Sequence, residues 1–179
     1  MVRTLHSRAG TRGAVTDSFS PGPDTARAYR DALGRFATGV TVITCMTEDG
    51  PLGITANSFS SVSLEPPLVL WSPAKASKRF VPFTEADHFA IHVMGSDQAH
   101  VCGGFAKQGD AFEALDWYEG PRGTPLIEGC LARFDCARHA VHDGGDHAIV
   151  IGHVLDATLR EGDPLLFVGG RFGRFTTTD

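Results

Sequence analysis

Apolar positions recur along this chain with two different spacings, and the switch between them sets out the elements. Behind Asp24, Tyr29, Ala32, Leu33 and Phe36 fall at i, i+3, i+4 and i+7. With Asp24 as N-cap and Gly39 as terminator, that period predicts an amphipathic helix over residues 25–36. From Val40 the pattern changes. VTVITCMT is dense in β-branched residues, and Glu48-Asp49-Gly50-Pro51 turns it into a second strand that begins at Leu52, which predicts a hairpin. Strand patterns return at 58–63, 68–72, 89–93, 130–140, 148–159 and 165–168, interrupted by short helical patterns at 76–86, 97–105 and 109–115. Many strands joined by turns, with few crossover helices, predict a mainly β, antiparallel barrel rather than a doubly wound parallel sheet.

Composition narrows the class. The 179 residues suit one ordinary domain, and 42% hydrophobic with 21% charged residues is the balance of a globular protein. Residues 1–23, rich in Ser, Thr, Gly, Arg and Pro without apolar period, read as a disordered leader to a domain over 24–179. A net charge of −5 argues against a nucleic-acid surface, which needs clustered Lys and Arg to replace counterions. No segment approaches the roughly 18 apolar residues of a membrane span, and MVRTLHSRAG lacks an apolar core after its basic residues, so a cytoplasmic location without membrane contact is expected. Cys45, Cys130 and Cys136 lie in apolar strand runs and no CxxC is present, so the four cysteines read as buried free thiols. Gly169-Gly170-Arg171-Phe172-Gly173 has the wrong spacing for a GxGxxG dinucleotide fingerprint and no helix after it.

Three stretches carry candidate chemistry. HDGGDHAIVIGHV (142–154) ends a series HxxHxxxxHxxxxxH through His139, His142, His147 and His153. A metal is poorly supported, because His147 and His153 share a strand face but lie about 20 Å apart at roughly 3.3 Å per residue. Asp143-Gly144-Gly145-Asp146 reads as a hairpin turn; it also sets an imidazole, with a carboxylate able to orient it, at the mouth of an apolar strand, as a ligand site does. Both readings remain open from the residues alone. GITANSFSSVSLEPP (53–67) is strand-like yet studded with small hydroxyls, either an edge strand or a wall against which a flat polar ligand lies. SPAKASKR (72–79) places three cations and two hydroxyls at the start of a helix predicted near Ala76, suited to a phosphate or simply solvated.

Taken in order, ALGRFATGVTVIT (32–44), GITANSFSSVSLEPPLVL (53–70), KASKRF (75–80), FAIHVM (89–94), GTPLIEGCLARFDC (123–136) and GGDHAIVIGHV (144–154) resemble the short-chain NAD(P)H:flavin oxidoreductases, reductase components of two-component flavin-dependent monooxygenases. The resemblance covers about residues 26–175 and implies a Greek-key split β-barrel, homodimeric, with FAD or FMN in a groove. It implies that Gly53, Ile54, Thr55, Asn57 and Ser58 line the isoalloxazine and ribityl chain. Ser72, Ala74, Ser77 and Lys78 would then face the phosphate, and Gly104 and Phe105 belong to the segment closing over the flavin. His147 would face the nicotinamide with Asp146 supporting it, and no metal is called for. The implied reaction transfers hydride from NADH, or NADPH, to a flavin that then diffuses to a partner monooxygenase. Three residues depart from the pattern: His92 stands where Asn is common, Gly104 where Arg is common and Ala111 where Lys is common. Arg79 is larger and more charged than is usual at its position, able to bind phosphate or to point outward. Two other functions suit the same residues: a non-catalytic flavin-binding or redox-sensing barrel, and a split-barrel flavin oxidase acting on a small organic substrate.

Overall fold

The computed structural model describes residues 18–113 and 115–177. Contacts divide the chain after Leu33. In the first unit a 3₁₀ turn, Pro23–Thr25, leads into helix α1, Ala26–Leu33. The predicted helix is therefore real but shorter at both ends. Gly22 takes the capping position with Pro23 behind it, and Asp24 falls inside the 3₁₀ turn without capping anything. The apolar stripe is not buried, with Tyr29 45% and Leu33 58% exposed. The part of the expected leader at residues 1–17 lies outside the described residues.

The second unit holds β1 (Thr38–Gly39), β2 (Thr41–Thr47), β3 (Gly50–Ala56), β4 (Ser60–Leu64), β5 (Pro67–Trp71) and helix α2 (Phe80–Glu85). These are followed by β6 (His88–Val93), α3 (Ala99–Lys107), β7 (Trp117–Glu119), β8 (Pro125–Ile127), β9 (Ala132–Gly144), β10 (His147–Leu159), β11 (Leu165–Val168) and β12 (Arg171–Arg174). Seven strands form one antiparallel sheet in the order β3-β2-β6-β9-β10-β5-β4, beside the smaller sheets β1-β11-β12 and β7-β8. The two edge strands of the large sheet, β3 and β4, are joined only by Asn57, Ser58 and Phe59. Such a link reaches about 14 Å at most, whereas a flat sheet of seven strands would hold its edges roughly 29 Å apart. The sheet must therefore curl until its edges meet, which makes it a barrel split between β3 and β4, as the strand pattern predicts.

Burial follows from that curl. β2 lies inside the sheet, between β3 and β6, and is rich in β-branched residues, and residues 41–45 are buried on both faces. Ile43 and Cys45 face a cluster with Val69, Trp71, Phe83, Phe89, Ile91 and Val150. Val42, one residue out of phase, joins a second cluster with Met94, Val101, Cys102, Phe105, Phe112 and Ile127, where α3 and the β7-β8 ribbon cover the other face. Trp71 anchors the first cluster, edge-on to Phe83 at 5.2 Å. All four cysteines are buried and free, as expected. Burial pushes the Cys45 and Cys136 thiols up to about 12, so they behave as small apolar side chains.

Residue 92 contributes to this packing rather than to a site. His92 is fully buried; its Nδ1–H donates to the Val42 carbonyl at 3.0 Å, and its Nε2 accepts from the Ile127 N–H at 3.0 Å. It ties β6 to β2 and β8, and only the neutral ring can make both bonds.

Several short elements differ from expectation. The described residues of the 109–115 pattern form turns rather than a helix, while β1, β7, β8 and β12, of two to four residues each, fall outside the predicted strands. α2 begins at Phe80, not near Ala76. Ser77 closes a turn instead: its N–H donates to the Ala74 carbonyl and its Oγ accepts from the Arg79 N–H at 3.2 Å, so a side chain competes with the helix for backbone bonds.

Candidate functional site

A cleft of about 310 Å³ runs along the outer edge of β3. Ile54, Thr55, Ala56 and Asn57 form part of its wall, with Phe167 and Phe172 from the β11–β12 hairpin, and with Arg79 and Ala106. The edge position matters. Gly53 sends its N–H to the Gly109 carbonyl, outward from the sheet at 2.8 Å. Strand alternation then makes Thr55 and Asn57 the next residues whose backbone groups point away from β2, beside the cleft. The wall is thus part apolar, part backbone amide, a surface that fits the flat, amphipathic ring of a flavin.

Four contacts fix that wall. Thr55 Oγ1 donates to the Cys102 carbonyl at 2.7 Å, joining β3 to α3. Asn57 Nδ2 donates to Thr38 Oγ1 at 3.3 Å, leaving its carbonyl oxygen for a ligand. Arg79 Nη1 donates both to the Gly53 carbonyl at 2.9 Å and to the Phe105 carbonyl at 2.7 Å. Gly53 also permits close approach, since a Cβ there would lie 2.4 Å from the Phe105 ring. Burial lowers the pKa of the Arg79 guanidinium from its ordinary value.

A second group of residues lies where the β9–β10 turn meets the segment after β5. Gly144 and His147 pair across a tight turn, with Gly145 at φ +81° and its N–H donating to Asp143 Oδ1 at 3.1 Å. The turn is docked by backbone bonds: Lys75 N–H to the Asp146 carbonyl at 2.9 Å, Ala148 N–H to the Pro73 carbonyl at 3.0 Å, and a bridge between Ala74 and His147. Lys75 and Asp143 add an ion pair, and that contact holds the Asp143 carboxyl below its usual range. His147 Nδ1 lies 2.8 Å from Asp146 Oδ1, so Asp146 orients the ring and a neutral His147 presents Nε2 as an acceptor. The same bond keeps the Asp146 carboxyl below its usual range. Ser58 connects this corner to the cleft, because its Oγ accepts from the Ser72 N–H at 2.9 Å.

The structure therefore gathers the sequence-derived candidates into two neighbouring sets. Ile54, Thr55 and Asn57 border the cleft above Gly53; Ser58, Ser72, Ala74, Asp146 and His147 share the corner. Ser77 and exposed Lys78 sit on the turn immediately before α2, ahead of its N-cap Arg79 rather than inside the first helical turn that the sequence predicts. Gly104 faces another way: it lines a separate cleft beside Ala111, and a Cβ there would come within 3.2 Å of Ala111 Cβ. The Phe105 side chain is wholly buried against Phe112, at 4.9 Å between rings, so it supports β3 from behind rather than touching the cleft. Sequence reasoning missed Phe167, Phe172 and the inward course of Arg79. The β12 strand bearing Phe172 reads RFGR, two charges and a glycine without a β-branched side chain, and so carries no strand signal; the direction of one arginine is not a pattern property.

The pattern of the flavin reductase like domain matches residues 33–176, and the chain belongs to that family. Among its relatives is a protein of Agrobacterium fabrum named FMN reductase (NADH) SmoA, 57% identical over 158 residues, covering 88% of this chain and 91% of that protein. The reductase subunit HsaB of a flavin-dependent monooxygenase from Rhodococcus jostii is 40% identical over 148 residues, covering 82% of this chain and 76% of that protein. The NADH:FAD oxidoreductase SgcE6 of Streptomyces globisporus has the same fold, with a TM-score of 0.84, 39% identity, and coverage of 92% of this chain and 96% of that one. SgcE6 has also been solved in complex with NAD and FAD fragments.

Proposed function

We propose that this chain is an NADH-dependent flavin reductase that supplies reduced flavin to a partner monooxygenase. The observation that carries this reading is the cleft along the free edge of β3, sized and lined for a flat ring, beside a corner that fixes one imidazole. In this reading Gly53, Ile54, Thr55, Asn57 and Ser58 hold the flavin ring and ribityl chain, and Ser72, Ala74, Ser77 and Lys78 hold its phosphate side. Gly104 and Phe105 act indirectly, through the packing of α3 behind β3. Bound flavin supplies an N5 atom that accepts hydride from nicotinamide C4. The protein's part is to orient the two rings and exclude water, which needs no acid–base pair. His147 positions the nicotinamide and Asp146 fixes the tautomer of His147. The working unit is a homodimer in the cytoplasm, and the flavin, FMN or FAD, is held in exchangeable form.

The test is NADH oxidation by the purified protein with added FMN, added FAD or no flavin, with NADPH in parallel. Turnover that requires added flavin is the expected result. Flavin binding without turnover would make the chain a non-catalytic flavin-binding barrel. Oxygen uptake driven by a small organic substrate, independent of added flavin, would make it an oxidase.

A further inference from the structure

Among the described residues lining the β3 cleft, Arg79 alone is ionisable. Its side chain runs from the turn before α2 toward β3 and α3, away from Ser77 and Lys78, and ends on the Gly53 and Phe105 carbonyls. Both contacts are made by Nη1, so that nitrogen's two hydrogens are spent. The remaining three N–H donors of the guanidinium, on Nε and Nη2, meet no acceptor among the described residues, and Arg79 joins none of their ion pairs. A fixed cation with unspent donors, set among Val40, Ile54, Phe167 and Phe172, is an unusual wall for a neutral ring.

Hydride transfer explains it. A neutral dihydronicotinamide ring and a neutral oxidised flavin ring give a nicotinamide cation and a reduced flavin ring bearing one negative charge: the C4–H bond of the nicotinamide breaks with its electron pair, the N5–H bond of the flavin forms, and no proton is consumed. We infer that Arg79 stabilises this negative charge on the ring, so that the protein binds reduced flavin more tightly than oxidised flavin. The inference rests on the reading that flavin occupies the β3 cleft. The ring is a better partner than the phosphate because the cleft offers a single cation among apolar walls, whereas a phosphate is met by several convergent donors. A guanidinium keeps its charge at every working pH and is less strongly hydrated than an ammonium, which suits a partly dry position. Pinning by two carbonyls holds it there before the charge develops, so little reorganisation accompanies the reaction.

The experiment measures dissociation constants for oxidised and dithionite-reduced FMN and riboflavin, without oxygen and without NADH, for the wild type, Arg79→Lys and Arg79→Gln. The wild type should bind reduced riboflavin about tenfold more tightly than oxidised riboflavin, equivalent to a rise of about 30 mV in the two-electron potential of bound flavin. Arg79→Lys should keep most of that ratio and Arg79→Gln should abolish it. Three results would overturn the inference while leaving the reductase reading intact: no preference for the reduced form in the wild type, an unchanged ratio in Arg79→Gln, or a ratio that changes for FMN but not for riboflavin. Equal weakening of both oxidation states in both variants would make Arg79 a structural clasp only, which also overturns it. Failure of the wild type to bind any flavin would instead refute the reductase reading itself. Should neither variant fold, the wild-type ratio for riboflavin still decides.

Discussion

Between pH 6.5 and about 4, acid should destabilise this protein through His92. Its pKa is pushed down to about 4 from 6.5, first by burial and then by the nearby Arg133 charge, against the opposing pull of the Val42 carbonyl. Protonation would also turn Nε2 from the acceptor of the Ile127 N–H into a second donor facing it. Between pH 6.5 and about 4 the unfolded chain binds a proton at this position that the folded chain refuses. Stability is therefore fully present above pH 6.5 and falls as pH drops toward 4, by about 3 kcal/mol at about 1.36 kcal/mol per pH unit. Asp135 works in the opposite sense, since burial raises its pKa and the folded state then holds a proton more readily than the unfolded one. The comparison that isolates His92 is urea unfolding of the wild type and of His92→Gln across this range at one protein concentration. Gln keeps a donor and an acceptor but does not titrate, and Asp135 is common to both proteins. The wild type should lose stability with a slope steeper by up to one proton, whatever the absolute stability of the variant. Equal slopes would refute the assignment of His92 as a buried neutral clasp.

Other expectations follow from the same geometry. His147→Ala should raise the KM for NADH several-fold while leaving the dissociation constant for flavin nearly unchanged; lost flavin affinity at constant KM would place His147 in the flavin site instead. Lys78→Ala should weaken FMN binding at low ionic strength and progressively less as salt is added, because an exposed cation acts through a screened field; salt-independent binding would move the phosphate elsewhere. Gly152→Ala should cost about 1–3 kcal/mol by overpacking, measured by chemical denaturation, since its Cβ would lie 2.7 Å from Phe89 Cζ and 3.0 Å from Cys136 Cβ. Thiol titration of the native protein should label none of the four cysteines rapidly, and all of them in denaturant, given their burial; one fast native thiol would contradict the packing of the segment that carries it.

Long periodic segments were legible in the sequence by themselves. The β-branched run of β2, the hairpin to β3 and the apolar β10 were set by local side-chain chemistry, and so was the antiparallel class that follows from many strands and few helices. The turn Asp143-Gly144-Gly145-Asp146 was readable too, because glycine and aspartate act on their own backbone. Whether that turn was also a site was not decided locally. The docking of His147 against Ala74 joins residues far apart in sequence, and it exists only because β5 lies beside β10 in the curled sheet. Tertiary structure likewise decided that β3 is a free edge, that Phe105 faces the core, and that His92 is a satisfied buried base. It also decided that Arg79 turns inward. Each of these depends on which elements become neighbours, and pairing between distant strands leaves no mark on the spacing of residues within either one.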